Sequence, residues 1–251
     1  MIFYTGDLHG QWDISKLNNK RTKEITSKDV LIIAGDLGLV WNFAEEKTNK
    51  NLRDSLDKKP YDILFCDGNH ENFDRLQSDE FPEVEKYGGK VKQISKRIFE
   101  LQTGHVYEIQ GKKVFSFGGA MSIDKLGRTP NVSWWEQEIP SCTTFYMGLK
   151  NLEAVGNKVD IVISHATNKD CYDKALKLMP AISNKESDPV ITMLQVFKKS
   201  IEYDMWVSGH YHLNCFDGDS KTAILYNIVI SNDNLKNIIY NNKDSILLEK
   251  L

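Results

Sequence analysis

Five of the six histidines in this 251-residue chain fall inside four of five short motifs, and every motif but SHA also carries an Asp, an Asn or a Gly. The motifs read GDLHG (Gly6–Gly10), GDLG (Gly35–Gly38), GNHE (Gly68–Glu71), SHA (Ser164–Ala166) and GHYH (Gly209–His212), and only His105 lies outside them. Carboxylate oxygen, imidazole nitrogen and amide oxygen form a mixed hard and intermediate donor set. It suits Mn, Fe, Zn, Co or Ni better than Ca or Mg. No cysteine enters the motifs, which disfavours a structural zinc site. Taken singly, each residue has a plainer reading: an Asp after a strand caps a turn, a His in an apolar run packs, and Asn69 adopts a left-handed turn conformation. Packing does not explain why they recur together.

The elements that must position these residues are legible as apolar runs. The first four motifs follow Met1–Tyr4, Val30–Ala34, Ile63–Cys66 and Ile161–Ile163, and the fifth follows Met205–Val207. Polar, metal-competent residues at the ends of buried strands are what a metal site on an open α/β sheet needs. Between the runs the spacing predicts a short helix over 11–18 and a longer one over 42–57, with Phe43, Leu52 and Leu56 inward, ending before Pro60. A β-rich stretch follows over 91–120, clearest at Lys112–Phe117, and Gly118-Gly119 breaks it. Residues 121–144 show no clear periodicity but hold Arg128, Trp134, Trp135, Glu136 and Glu138, a length of loop that is usually functional or disordered. The tryptophans argue for order. Helix resumes over 146–155 and again around 172–178 within 167–185. Asp188-Pro189 opens another helix running to about Glu202. Beyond it, 223–230, 236–240 and 245–248 read as short strands between Asn- and Asp-rich turns.

The order Asp-x-His, Gly-Asp, Gly-Asn-His-Glu, His, Gly-His-x-His resembles the calcineurin-like metallophosphoesterases, over Asp7 to His212. That resemblance implies a two-sheet β-sandwich flanked by helices, an α/β/β/α fold, with the C-terminal strands in the second sheet. It implies one domain over 1–251, with 121–144 as a candidate lid or substrate loop. It also implies two divalent transition metals, Mn favoured. Asp7, His9 and His212 would hold one, Asn69, His165 and His210 the other, and Asp36 would bridge both. The implied reaction is hydrolysis of a phosphate mono- or diester by a hydroxide held between the metals. His70 and Asn69 would be catalytic, with His70 facing the leaving group as acid or electrostatic stabiliser.

The chain departs from the protein Ser/Thr phosphatases of the same superfamily, which carry Asp-Arg-Gly after the second motif and an Arg before Gly-Asn-His-Glu. Here Leu37-Gly38-Leu39-Val40-Trp41 follows the second motif, and Asp67 stands before Gly68. A carboxylate there would repel a phosphate unless it is turned away. The stretch FGGAMSIDKLGRTPNVSWW (Phe117–Trp135) resembles an uncharacterised bacterial and phage-type group with a Gly-Gly-Ala…Asp…Arg…Ser-Trp-Trp-x-x-Glu pattern. Arg128 is the candidate substitute clamp, since guanidinium binds phosphate oxygens bidentately. Its plainer reading is a surface ion pair. Trp134 and Trp135 either stack a substrate ring or anchor the loop. A protein Ser/Thr phosphatase and a non-catalytic scaffold of the same fold are the alternatives. Scaffolds lose ligands or the third-motif His, and here all are present.

Bulk composition is that of a soluble globular protein: 41% hydrophobic, 27% charged, net charge −3. The acidic balance argues against broad phosphate neutralisation, leaving nucleic acid as a partner only if it is the substrate. Cys66, Cys142, Cys171 and Cys215 lack C-x-x-C spacing, so a reducing compartment is expected. With no apolar run near the roughly 20 residues of a membrane span and no visible signal peptide, a cytoplasmic location with no membrane partner is expected. His105 is read as structural.

Overall fold

A computed structural model describes residues 1–180, 188–242 and 246–249. The strands are β1 (Ile2–Thr5), β2 (Val30–Ile33), β3 (Asp62–Phe65), β4 (Glu83–Lys86), β5 (Gly89–Gln93), β6 (Ile98–Leu101), β7 (His105–Ile109), β8 (Lys112–Phe117), β9 (Ile161–Ser164), β10 (Met205–Ser208), β11 (Asn214–Asp217), β12 (Thr222–Ile224), β13 (Ile230–Ser231) and β14 (Ile246–Glu249). The α-helices are α1 (Glu46–Leu56), α2 (Phe73–Leu76), α3 (Cys142–Ala154), α4 (Lys169–Leu178), α5 (Pro189–Ser200) and α6 (Asn232–Asn241).

Two seven-stranded sheets result, in the orders β13-β1-β2-β3-β6-β5-β4 and β14-β11-β12-β10-β9-β8-β7. At the centre of the first, β1, β2, β3 and β6 run parallel; at the centre of the second, β12, β10, β9 and β8 do. Strand alternation sorts the side chains. Tyr4, Val30, Ile32 and Leu64 of the first sheet meet Val114, Ile161, Ile163 and Val207 of the second in the core between the sheets. Phe3, Leu31, Ile33, Ile63 and Phe65 face outward, where Leu56 of α1 and Leu76 of α2 cover them. On the other outside, Phe115, Val162 and Trp206 pack on Leu152 of α3 and on Val190, Leu194 and Phe197 of α5. This is the α/β/β/α sandwich that the resemblance implied. Buried on both faces, the parallel strands need apolar residues at every position, so each reads as a continuous run.

Several local expectations change. The helix over 11–18 is a 3₁₀ turn at Ile14–Asn18, and that over 42–57 is a 3₁₀ turn at Phe43–Glu45 followed by α1. The side chain of Phe43 lies outside the described part of the structure. Helix α3 begins at Cys142 because Ser141 caps it, accepting from Thr144 N, so it takes in the end of the segment read as irregular. Asp188 caps α5 by accepting from Val190 N, with Pro189 in its first turn, as expected. The end of the 167–185 segment and residue 245 fall outside the described residues.

The strand expected over 236–240 is instead helix α6. Ser231 caps it through Asn234 N, and Leu235 and Ile239, one turn apart, are buried in the inter-sheet core. Two such side chains contribute about 1.5–3 kcal/mol each, which outweighs the β-propensity of Ile238-Ile239-Tyr240. The C-terminal strands also divide. β12 and β14 join the second sheet as expected, with β11, a strand not expected from the sequence, between them, whereas β13 pairs antiparallel with β1 at the edge of the first. Among the described residues, no helix is long and apolar enough to cross a membrane.

Candidate metal centre

All five motifs leave parallel strands at the ends where those strands finish. Asp7 and His9 follow β1, Asp36 follows β2, Asn69 and His70 follow β3, His165 follows β9, and His210 and His212 follow β10. The two sheets bring these loops to a common point. Ligand atoms of Asp7, His9 and His212 lie within 4.8 Å of one another, as do those of Asp7, Asp36 and His165, and those of His9, Asp36 and His70. Asp36 Oδ2 is 3.3 Å from both His9 Nε2 and His165 Nε2. His165 Nε2 also meets Asn69 Oδ1 at 3.0 Å, and the His165 and His210 rings are 4.9 Å apart. Every residue expected at the site is therefore brought together there.

The backbone that achieves this is crowded and strained. Asp36 Oδ1 accepts from His70 N at 2.8 Å, and Asp7 Oδ1 accepts from His210 N at 2.8 Å. A Cβ at Gly68 would sit 2.0 Å from Asp36 Oδ1, and one at Gly209 would sit 2.3 Å from Asp7 Oδ1, so only glycine lets these carboxylates approach. His9, Asp36, His210 and His212 all have positive φ, from 44° to 70°, a conformation that costs about 1–3 kcal/mol for such residues and clusters at functional sites.

Further contacts orient the rings. His9 Nδ1 bonds Asp13 Oδ2 at 2.7 Å, and Asp13 in turn accepts from Tyr226 Oη. His165 Nδ1 donates to Ala34 O at 2.8 Å. Both leave Nε2 facing the centre, as in histidines whose other nitrogen is tied to a carboxylate or carbonyl. His212 stacks on Tyr226, 4.7 Å away and nearly parallel. Asn69 Nδ2 donates to Ser122 Oγ.

The charges are those of a cation site. Burial alone would raise Asp36, but the charge of His165 and hydrogen bonds from His165 and His9 hold it well below the usual carboxylate range. Asp7 is likewise lowered, chiefly by His212, against its own burial. His9 and His165 are raised to about 9 and about 10, their burial overcome mainly by Asp36. His210 is pushed down to about 3 by burial and then by His165, leaving a neutral imidazole with a free lone pair. Asp7 Oδ2, buried, accepts no hydrogen bond, although His212 Nε2 lies 3.2 Å away. A buried carboxylate oxygen without a donor is costly, and a cation would satisfy it. The donor set and this orphan oxygen fit divalent metals.

A cavity of about 870 Å³ opens above the centre, lined by His9, Asp36, Asn69, His70, His210 and His212 together with Trp12, Asp13, Trp41, Ile123, Asp124, Arg128 and Tyr226. Residues 121–144 thus supply part of its wall. Arg128 Nη1 and Nη2 each lie 3.1 Å from a ring nitrogen of His70, while Nε pairs with Asp124 at 2.8 Å and Nη1 donates to Ser133 O. Burial first, and then the Arg128 charge, lower the pKa of His70 against the pull of Asp36. Trp135 anchors the loop: it is buried, donates to Asp74 Oδ2 of α2 at 2.8 Å and packs edge-on against Trp41. Trp134 does not line the cavity.

Asp67 is turned away from the centre. Its carboxylate accepts from Thr103 Oγ1 at 3.0 Å, and burial, then the Asp67 charge, push the pKa of Glu100 well above the usual range. Asp13, Trp41, Tyr226 and Ser122 were not anticipated. For Asp13 the signal was present, four residues after His9.

No curated protein matches the chain. A family model for calcineurin-like phosphoesterase matches residues 1–214, which include every residue from Asp7 to His212 discussed above. The chain therefore belongs to the calcineurin-like phosphoesterases, a family of metal-dependent hydrolases that typically bind two divalent metals.

Proposed function

We propose that the protein hydrolyses phosphate mono- or diesters at two divalent transition-metal ions, Mn²⁺ favoured. The observation that carries this is the convergence of seven candidate ligands on one point, with His70 and Arg128 on the wall of the cavity above it. On this reading Asp7, His9 and His212 hold one ion, Asn69, His165 and His210 the other, and Asp36 is shared. Bound there, two ions would polarise the phosphoryl group and lower the pKa of an attacking water. His70 then stands on the wall of the cavity to give a hydrogen bond or proton to the departing oxygen. Arg128 offers its guanidinium to the phosphoryl oxygens. Asp124 and Ser133 O hold it from behind, and its contacts with His70 place it beside the same group. Asp67, tied to Thr103, leaves that space free of a repelling carboxylate. The spacing of the four cysteines supports a reducing, cytoplasmic setting.

The test is a hydrolysis panel with Mn²⁺-loaded protein. It covers p-nitrophenyl phosphate, bis-p-nitrophenyl phosphate, cyclic nucleotides, dinucleoside polyphosphates, a phosphopeptide and short single-stranded DNA. Turnover of at least one ester, abolished by chelation, is expected; none on any ester would overturn the reading. On the best substrate Arg128→Ala should raise KM roughly 10- to 100-fold, the equivalent of a lost charged hydrogen bond of about 1.5–3 kcal/mol. Metal content should stay unchanged. An unaltered KM would remove Arg128 from substrate binding.

A further inference from the structure

Glu138 and Ser122 lie in the stretch that distinguishes this chain, yet neither lines the cavity above the metal centre. Both are buried, each 1% exposed. They form a chain of hydrogen bonds that ends on Asn69. Glu138 Oε1 accepts from Ser122 N at 2.8 Å, and Glu138 Oε2 accepts from Ser122 Oγ at 2.6 Å. Ser122 Oγ in turn accepts from Asn69 Nδ2 at 3.1 Å. Asn69 Oδ1 is left facing His165 Nε2 at 3.0 Å.

The direction of these bonds is set from the Glu138 end, whose pKa burial raises while the bonds it accepts from Ser122 favour its charged form. An ionised carboxylate only accepts, whereas a hydroxyl has a single proton to give. With that proton committed to Glu138, Ser122 Oγ can only accept from Asn69. The amide must then present its NH₂ group to Ser122 and its oxygen to the metal centre. An amide nitrogen has no lone pair to offer a cation, so the orientation decides whether Asn69 is a ligand at all.

We propose that Glu138, acting through Ser122, is a positioning residue that fixes Asn69 with its carbonyl oxygen toward the metals. The inference rests on the two-metal reading above, and its readout is metal affinity rather than turnover. Glu138→Gln is the informative variant because it keeps the shape and reverses the chain. The introduced amide satisfies both groups of Ser122 in one arrangement: its oxygen accepts from Ser122 N and its NH₂ donates to Ser122 Oγ. The serine proton then points to Asn69, which turns its oxygen away from the centre. Binding a metal through Asn69 Oδ1 would break one of those bonds.

Mn²⁺ binding to the full chain is measured by calorimetry, with thermal melts of the metal-free proteins alongside. Wild type should bind two ions. Glu138→Gln should weaken one of them by roughly the 10- to 100-fold typical of a lost partner behind a ligand. Ser122→Ala frees the amide without reversing it, so its loss should be smaller. The effect of Glu138→Gln should vanish or change sign in an Asn69→Asp background, because a carboxylate can accept from the serine and still face the metal. Equal losses in both backgrounds would show a merely structural role and overturn the proposal, as would wild-type affinity in Glu138→Gln. Absence of two-ion binding in wild type would overturn both this inference and the reading beneath it. If Glu138→Gln fails to fold, Ser122→Ala decides: undiminished affinity there overturns the relay.

Discussion

Replacement of His70 by alanine is expected to lower turnover by roughly 100- to 10,000-fold, the range of a lost general acid or base, while metal content stays intact. The two halves of this expectation have separate causes. The His70 side chain stands on the cavity wall, 5.4 Å from the His9 ring and against the Arg128 guanidinium, where a departing oxygen would pass. The hydrogen bond of this residue to Asp36 is through its backbone N–H, which alanine retains. The size of the loss should follow the leaving group. A p-nitrophenolate needs little help to depart and should show the smaller loss, and an alkoxide the larger. Turnover measured on a series of esters, with metal analysis of each preparation, checks this. Equal losses across the series would leave His70 without a role at the leaving group.

Asp36→Asn should be at least as damaging, with a different signature. Asp36 Oδ2 lies 3.3 Å from imidazoles assigned to different ions, His9 and His165, so one carboxylate serves both halves of the site. In the variant the amide oxygen can still accept from His70 N, which turns the NH₂ group toward the centre and removes the shared negative charge. Both ions should bind more weakly. Loss of several kcal/mol of transition-state stabilisation by the metals corresponds to about a thousandfold or more in turnover. His212→Ala, by contrast, should weaken one ion and spare the other, because among the described residues His212 clusters with Asp7 and His9. Metal titration separates the two patterns. Wild-type affinity for both ions in Asp36→Asn would contradict the bridging role.

The site was more legible in the sequence than the elements around it, for physical reasons. A parallel strand buried on both faces is a short apolar run, and a ligand at its end must be polar and flanked by glycine where chains crowd. Val30–Ile33 followed by Gly35-Asp36, and Met205–Ser208 followed by Gly209-His210, therefore announce themselves. Partners joined only by the fold do not. Tyr226 reaches Asp13 from 213 residues away, and Glu138 reaches Asn69 through Ser122; neither contact has a local pattern. The direction in which Asp67 points depends on Thr103, in a turn 36 residues further on. Helix α6 was misread because Ile238-Ile239-Tyr240 is too short for its period to show, and a short apolar run does not distinguish strand from helix. Its helical spacing emerges only when Leu235 is seen to share a buried face with Ile239. The 121–144 segment is mostly irregular chain with two short 3₁₀ turns, pinned by side chains such as Trp135, so it has no period to read.

The central claim, two ions sharing Asp36, is tested most directly by a crystal structure of Mn²⁺-loaded protein with anomalous scattering to locate the metals. The account predicts two ions per chain with the Asp36 carboxylate between them, Asp7, His9 and His212 on one, and Asn69, His165 and His210 on the other. A fully loaded protein with one isolated ion, or with Asp36 turned away from the metals, would contradict it.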